Sequence, residues 1–350
     1  MTGPAVVATP RRPDWRGAVA AMLSAQSADG AIRWFAGGPW DAWNHAECVM
    51  ALGLAGEREA ALAGFACLAE RQADDGSWLC GYGNALPMAD RLHLSRAPAP
   101  VVRDSNFAAY PATALWHWWQ LTGDRATVDR FWPVIRSGIE FALSLQSDAG
   151  DISWSAEARG GALDDAVRAG NAAIWLSLGH AEALAALMGD PQPAWTGARA
   201  ALGEALLARP ERFDRAGTDR ARFAMDWYYP VLAGLMPQPA ARARLGWGRQ
   251  RFIEEGRGCR CVADEPWATV AESAELAMAL VRLGLTREAG VLLGWQEAHR
   301  DSDGAWWMGW QYAEGIAWPR EKPAWTQAAM MLAQDALLGL TPASGVLVGR

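Results

Sequence analysis

Carboxylates set beside aromatic residues recur along the chain. Asp226 lies in "MDWYYP" next to Trp227, Tyr228 and Tyr229, Asp264 and Glu265 lie in "DEPW" ahead of Trp267, and Glu321 lies in "REKPAW" ahead of Trp325. An earlier stretch, "PWDAWNHAE", gathers Trp40, Asp41, Trp43, Asn44, His45 and Glu47. Sugar rings suit such surroundings, because their C–H faces stack on indoles while their hydroxyls bond to carboxylates, Asn and Arg. Breaking the bond between two sugars needs two carboxyl groups, one protonated as general acid and one ionised as base or nucleophile. Asp226, Asp264, Glu265 and Glu321 form the pool for that pair. Trp40, Asp41, Trp43, Asn44, His45, Glu47, Trp227, Tyr228, Trp267 and Trp325 are the expected substrate surface. Each group also has a plainer reading: Asp ahead of a helix caps free N–H groups, and Trp fills a helical core.

Other chemistries find weaker support. Cys259, Cys261 and Asp264 in "GCRCVADE" could reach a zinc ion with His299 or His45, but two thiols without a second Cys/His cluster make a poor zinc signature. "DSDG" at Asp301 to Gly304 begins like a calcium loop, yet Tyr312 stands where calcium needs a bidentate Glu. His117 sits mid-helix among large apolar residues and reads as packed. Nucleophile elbow, phosphate loop and dinucleotide fingerprint are all missing, so neither cofactor nor metal is expected.

These groups need elements to carry them. The segments between them have apolar residues at three- and four-residue spacings, as in "HAECVMALGLAG", which predicts amphipathic helices. About twelve are expected, starting near Asp14, Asp41, Glu57, Asp104, Arg125, Asp165, Pro193, Arg222, Pro239, Glu265, Thr286 and Lys322. Short turns such as "AGE", "TGD" and "GLT" alternate with long loops rich in Gly, Trp and acidic residues. In a ring of helical hairpins, loops of one parity share a face, so the long loops mark the working face. Inner helices following those loops point their positive N-terminal ends at it, and Asp41, Glu47, Asp104, Asp164 and Asp165 lie near such starts.

Four segments end alike, in "AQSADGAIRW", "RQADDGSW", "LQSDAGDISW" and "QEAHRDSDGAWW". Here Gln is expected to bond free backbone groups, Asp and Gly to make the turn, and Trp to anchor it. The fold expected is all-α, a single (α/α)6 toroid over residues 14–340 with tails at 1–13 and 341–350.

"GFACLAERQADDGSW" resembles the QW repeat of squalene cyclases and the toroid shared with protein prenyltransferases. "VVRDSNFAAYPATALWHWWQLTGD", "FWPVIRSGIEFALSLQSDAGDISW" and "KPAWTQAAMML" resemble the six-hairpin glycosidases of the glucoamylase type. That second resemblance implies a glycoside hydrolase in which Arg103 and Asp104 bind the terminal sugar. The first implies an isoprenoid cyclase or prenyltransferase. The cyclase acid motif DxDD is missing, "ALDDA" and "DSDGA" each lacking one element. A non-catalytic sugar- or partner-binding toroid is the third reading.

Composition limits the partners. The 350 residues are 51% hydrophobic and 20% charged, with a formal net charge of -7 and no basic stripe for nucleic acid or anionic lipid. No run approaches the roughly 20 apolar residues of a membrane span. "MTGPAVVATPRRPDW" lacks a signal-peptide core, and the cysteine count is an odd 5, which fits reduced thiols. A cytoplasmic enzyme with a small-molecule or oligosaccharide substrate is expected.

Overall fold

A computed structural model describes residues 13–83, 102–157, 162–217 and 219–349. In chain order the helices are α1 (Arg16–Ala25), α2 (Ala42–Ala55), α3 (Arg58–Arg71), α4 (Ser105–Ala109), α5 (Pro111–Thr122), α6 (Arg125–Ser144), α7 (Arg168–Met188), α8 (Pro193–Ala208), α9 (Ala224–Leu232), α10 (Gln238–Phe252), α11 (Val270–Arg282), α12 (Thr286–Gln296) and α13 (Ala324–Leu338). The apolar helices α2, α4 with α5, α7, α9, α11 and α13 touch one another in that order, and α13 returns to α2. They form a closed inner ring. The helices α3, α6, α8, α10 and α12 each pack behind the inner helix that precedes them, while α1 packs behind α13. The sixth hairpin of the (α/α)6 toroid is therefore made by the two ends of the chain.

Short turns join inner to outer helices, and Gly56, Gly123 and Gly189 close α2, α5 and α7 in left-handed conformation. That backbone shape is nearly free only for glycine. The long loops run from outer to inner helices and contain short strands that helical periodicity does not reveal. Strands β1 (Val102–Asp104) and β2 (Ser155–Glu157) pair antiparallel. Strands β3 (Ile253–Glu254), β4 (Gly258–Arg260), β5 (Trp267–Thr269), β6 (Gly309–Gln311) and β7 (Ile316–Ala317) form an antiparallel sheet in sequential order.

The repeated turns lash the outer ring together. The Gln26 amide donates to Gly30 O in its own turn and to Ala60 O on α3, at 3.1 and 2.9 Å. Gln72 does the same to Gly76 and to Val134 on α6, and Gln146 to Gly150 and to Ala198 on α8. In the fourth turn Arg300, not Gln296, takes this place: it donates to Gly304 O and to Asp14 O beside α1. Gln296 instead holds Arg257 O and Leu292 O. The turns lie tight against the next helix, for a Cβ on Gly76 would stand 2.1 Å from Ser137 O.

The buried anchor of these turns is not always Trp. Two positions after the glycine come Ile32, Trp78, Ile152 and Trp306, each at most 1% exposed. Inner helices grip three of them by the backbone. Ile32 N donates to His45 Nδ1, Ile152 N to Asn171 Oδ1 and Trp306 N to Gln327 Oε1, at 3.0, 2.8 and 2.8 Å. Among the tryptophans, Trp15, Trp40, Trp78, Trp118, Trp132, Trp195, Trp227 and Trp306 are buried core, so the core reading accounts for a large share of them.

Candidate active site

The inner ring is lined by carboxyl groups from three of its helices. On α2, Asp41 caps the helix and Glu47 lies further along. Asp104 caps α4, and Glu272 and Glu275 lie on the first turns of α11. In the ring order α11 lies opposite α4 and α5, and α9 opposite α2. Side chains on helices lean toward the N-terminus, here toward the long-loop face.

Aromatic rings cross the centre between these helices. Trp43 of α2 meets Tyr229 of α9 edge-on at 5.5 Å and Tyr110 at 5.1 Å. The Glu47 carboxyl accepts from Trp43 Nε1 at 2.9 Å and from the Tyr110 hydroxyl at 3.2 Å, both on Oε1. Tyr228 donates to Glu275 on the same inner wall. Nearer the loops, Asp41 accepts from Trp34 Nε1, Asn44 N and Asn44 Nδ2 at 2.8, 2.8 and 2.6 Å. Trp34 also meets Trp325 of α13 edge-on at 5.4 Å.

Burial among like charges shifts these groups. Glu47 is lifted to about 7, chiefly by loss of water, against its two donors and with Asp41 and Glu272 adding repulsion. Asp104 is likewise raised to about 7 by burial, although Asn106 N and Phe107 N bond to it, and Asp41 adds to the rise. Burial also raises Asp41, and it raises Glu275 further with help from Glu47. At neutral pH the inner wall therefore keeps a substantial share of its carboxyl groups protonated and able to donate, the condition for general acid catalysis. The Cys261 thiol bonds to Glu272.

The groups expected from sequence divide between this interior and the outside. Asp41, Trp43, Asn44, Glu47, Asp104, Tyr228 and Trp325 come together as described. Trp40 stacks on Tyr82 at 4.4 Å and is core. His45 is fully buried, accepting from Ile32 N while Nε2 donates to Gly64 O at 2.9 Å, and burial lowers it to about 4, so it is a neutral structural tie. Arg103 pairs with Asp75 of the neighbouring turn, away from Asp104. Asp226 lies on α9, but its carboxylate faces the outer ring near Arg168 and Arg244, and Trp227 there stacks on Phe252. Asp264 is exposed and bonded to Arg222 by both oxygens, Glu265 is exposed, and Glu321 lines a surface groove with Phe35 and Trp307. Trp267 packs on Trp318 and donates to its carbonyl. Asp165 is tied to Arg220, and Asp164 is exposed beside Arg215.

Sequence reasoning passed over Glu272, Glu275, Tyr110 and Trp34, and named Tyr229 only as an aromatic neighbour of Asp226. The available signal was "VAESAEL", two Glu three apart on one face of an otherwise small and apolar helix. Among the described residues no group of His, Cys, Asp or Glu is arranged to hold a metal ion, and no helix is long and apolar enough to cross a membrane.

No family model matches the chain. A protein of Mycolicibacterium hassiacum, named MMP endo-(1,4)-3-O-methyl-alpha-D-mannosidase, is 40% identical over 329 residues, covering 94% of this chain and 87% of that one. The fold matches that of an uncharacterized conserved protein of Thermus thermophilus, with TM-score 0.70 and 13% identity over 91% of this chain and 99% of that one. It also matches a glycosidase in complex with glucose, with TM-score 0.67 and 14% identity over 93% and 96%. The GH63 mannosylglycerate hydrolase of Thermus thermophilus, in complex with glucose, gives TM-score 0.67 and 12% identity over 92% and 99%.

Proposed function

We propose, for a chain that belongs to the family of the Mycolicibacterium hassiacum endo-mannosidase and is a glycoside hydrolase of the (α/α)6 type, that its substrate is an α-(1,4)-linked mannose chain carrying 3-O-methyl groups, cut internally. Glu47 is the proton donor and Glu272 the assisting carboxylate. The observation that carries the assignment is that these two groups lie near enough to repel one another in an aromatic interior, with Glu47 raised to about 7 and so substantially protonated at neutral pH. Oε2 protonates the oxygen leaving the anomeric carbon. Glu272 supports the positive charge that develops on the sugar, as base toward water or as nucleophile. Trp43, half-buried and backed by the buried rings of Tyr110 and Tyr229, offers a face to the ring and its methyl groups, while the half-buried Asp104 lies where hydroxyls need partners. This arrangement supports a substrate that is partly apolar and partly hydroxylated.

The reading also takes the enzyme to be cytoplasmic, which is supported by free cysteines at positions 48, 67, 80, 259 and 261. Incubation with an α-(1,4)-linked 3-O-methylmannose oligosaccharide, followed by mass spectrometry, tests the function. Fragments from internal bonds are expected from the wild type, and Glu272→Gln should yield none while Asp264→Asn cuts normally. Release of terminal sugars alone, or full activity in Glu272→Gln, overturns the reading.

A further inference from the structure

The outer ring carries a groove between α8 and α10 whose chemistry the interior site does not use. It encloses about 390 Å³, with Asp226, Arg168 and Arg244 at its polar end and Trp247, Leu207 and Pro210 along it. Asp226 is only 8% exposed, and its Oδ1 is buried without a hydrogen-bond partner. The two guanidinium groups stand 3.8 and 3.9 Å from Oδ2, beyond hydrogen-bond reach. They are held elsewhere. Arg244 donates to Trp227 O and Asp226 O, both at 2.7 Å, and Arg168 donates to Leu206 O at 3.3 Å.

A buried carboxylate with no donor is costly unless something supplies one. The arginines are fixed by backbone carbonyls, so relaxation onto Asp226 would break existing bonds. The missing donor must come from outside. Beside this acceptor Trp247 is 65% exposed and Leu207 51% exposed, large apolar surfaces at the mouth of a polar pocket. A purely apolar ligand would leave Asp226 unsatisfied, and an ionised group, although the two guanidinium groups would attract it, brings no proton to donate to Oδ1. A neutral polyhydroxylated ring satisfies both parts, with hydroxyls donating to Asp226 and accepting from free guanidinium N–H groups while a C–H face lies on Trp247.

We propose that the groove between α8 and α10 is a second sugar-binding site, taking one mannose ring of the chain that the interior cleaves. It rests on the reading of the enzyme as acting on a sugar chain. Leu206 and Leu207 of α8 and Arg244 and Trp247 of α10 line the site, which places it outside the inner ring. A ring held there anchors a distant part of the substrate and raises the local concentration of cleavable bonds.

Equilibrium dialysis with radiolabelled methyl α-D-mannopyranoside tests it without turnover. Two sugars per chain are expected for the wild type and for Glu272→Gln, and one for Trp247→Ala, an exposed position whose change leaves packing intact. A wild type that binds one or none, or a Trp247→Ala protein that still binds two, overturns the proposal. On long-chain substrate Trp247→Ala should raise KM about tenfold with kcat held, the loss of one stacking contact; an unchanged KM counts against it. Failure of the hydrolase reading alone would appear as two bound sugars and no cleavage.

Discussion

Replacing Glu47 by Gln should make the protein more stable above neutral pH and catalytically dead. Burial lifts this carboxyl from the ordinary 4.5 to about 7. Below pH 4.5 it is protonated in both folded and unfolded chains and adds no pH dependence. Between the two values the unfolded chain ionises Glu47 and the folded chain does not, so wild-type stability falls as pH rises and levels off past pH 7. Each pH unit of that window is worth ~1.4 kcal/mol, which makes the full loss about 3 kcal/mol. Glutamine keeps an oxygen for Trp43 Nε1 and Tyr110 to donate to, and carries no proton to lose. Urea unfolding at pH 4.5 and pH 8 should show Glu47→Gln gaining about 3 kcal/mol on the wild type between the two. Its kcat should fall by roughly a hundredfold or more, the usual scale of a lost proton donor. Wild-type kcat should decline as pH rises through about 7. A stability gap that is the same at both pH values, or a variant with near-normal turnover, refutes the reasoning.

His45 should give the opposite slope: burial lowers it to about 4, so the stability it supports is present above pH 6.5 and lost as pH falls through that window, which urea unfolding of wild type against His45→Gln will show as a shallower acid loss in the variant. His45→Ala strands Ile32 N and Gly64 O, two buried backbone groups, and should destabilise by about 3 to 5 kcal/mol at pH 7. Gly76→Ala, at φ +87° and with its new Cβ 2.1 Å from Ser137 O, should lower stability by about 3 kcal/mol while leaving kcat nearly unchanged, measured by thermal unfolding and turnover.

The helices were legible because their signals are local. The starts expected near Arg125, Pro193 and Thr286 coincide with α6, α8 and α12; Asp124 caps the first and proline opens the second. The start expected near Glu265 comes five residues late because Trp267 to Thr269 pair as β5 with segments on both sides, a non-local choice that periodicity does not carry. Likewise, Gln26, Gln72 and Gln146 could be read as turn residues, but that Arg300 replaces Gln296 in the fourth turn depends on its reach to Asp14. The site was half legible. The α2 part of the proposed site lies in "WDAWNHAE", whereas Asp226 sits toward the α10 side of α9 beside Arg168 and Arg244, a placement that depends on how α9 is rotated in the ring and that local sequence does not carry. Tyr229, three residues on, is the one that meets Trp43.

A wall of like-charged carboxyl groups would push its helices apart unless each were held from behind, and the ties of the long-loop turns do that. His45, Asn171, Ser273 and Gln327 are each the fourth residue of α2, α7, α11 and α13, and each bonds the backbone of the loop that feeds its own helix. On α2 the tie His45 and the acid Glu47 are two residues apart, so they project from nearly opposite sides of the helix. The outer side is clamped to the turn and to Gly64 of α3, and the inner side presents the proposed proton donor. On α11 Ser273 holds Cys259 N while its neighbours Glu272 and Glu275 face inward. Repulsion among the acids thus cannot be relieved by moving helices and is relieved by protonation instead, which raises Glu47 to about 7 and suits it to the proposed role of proton donor.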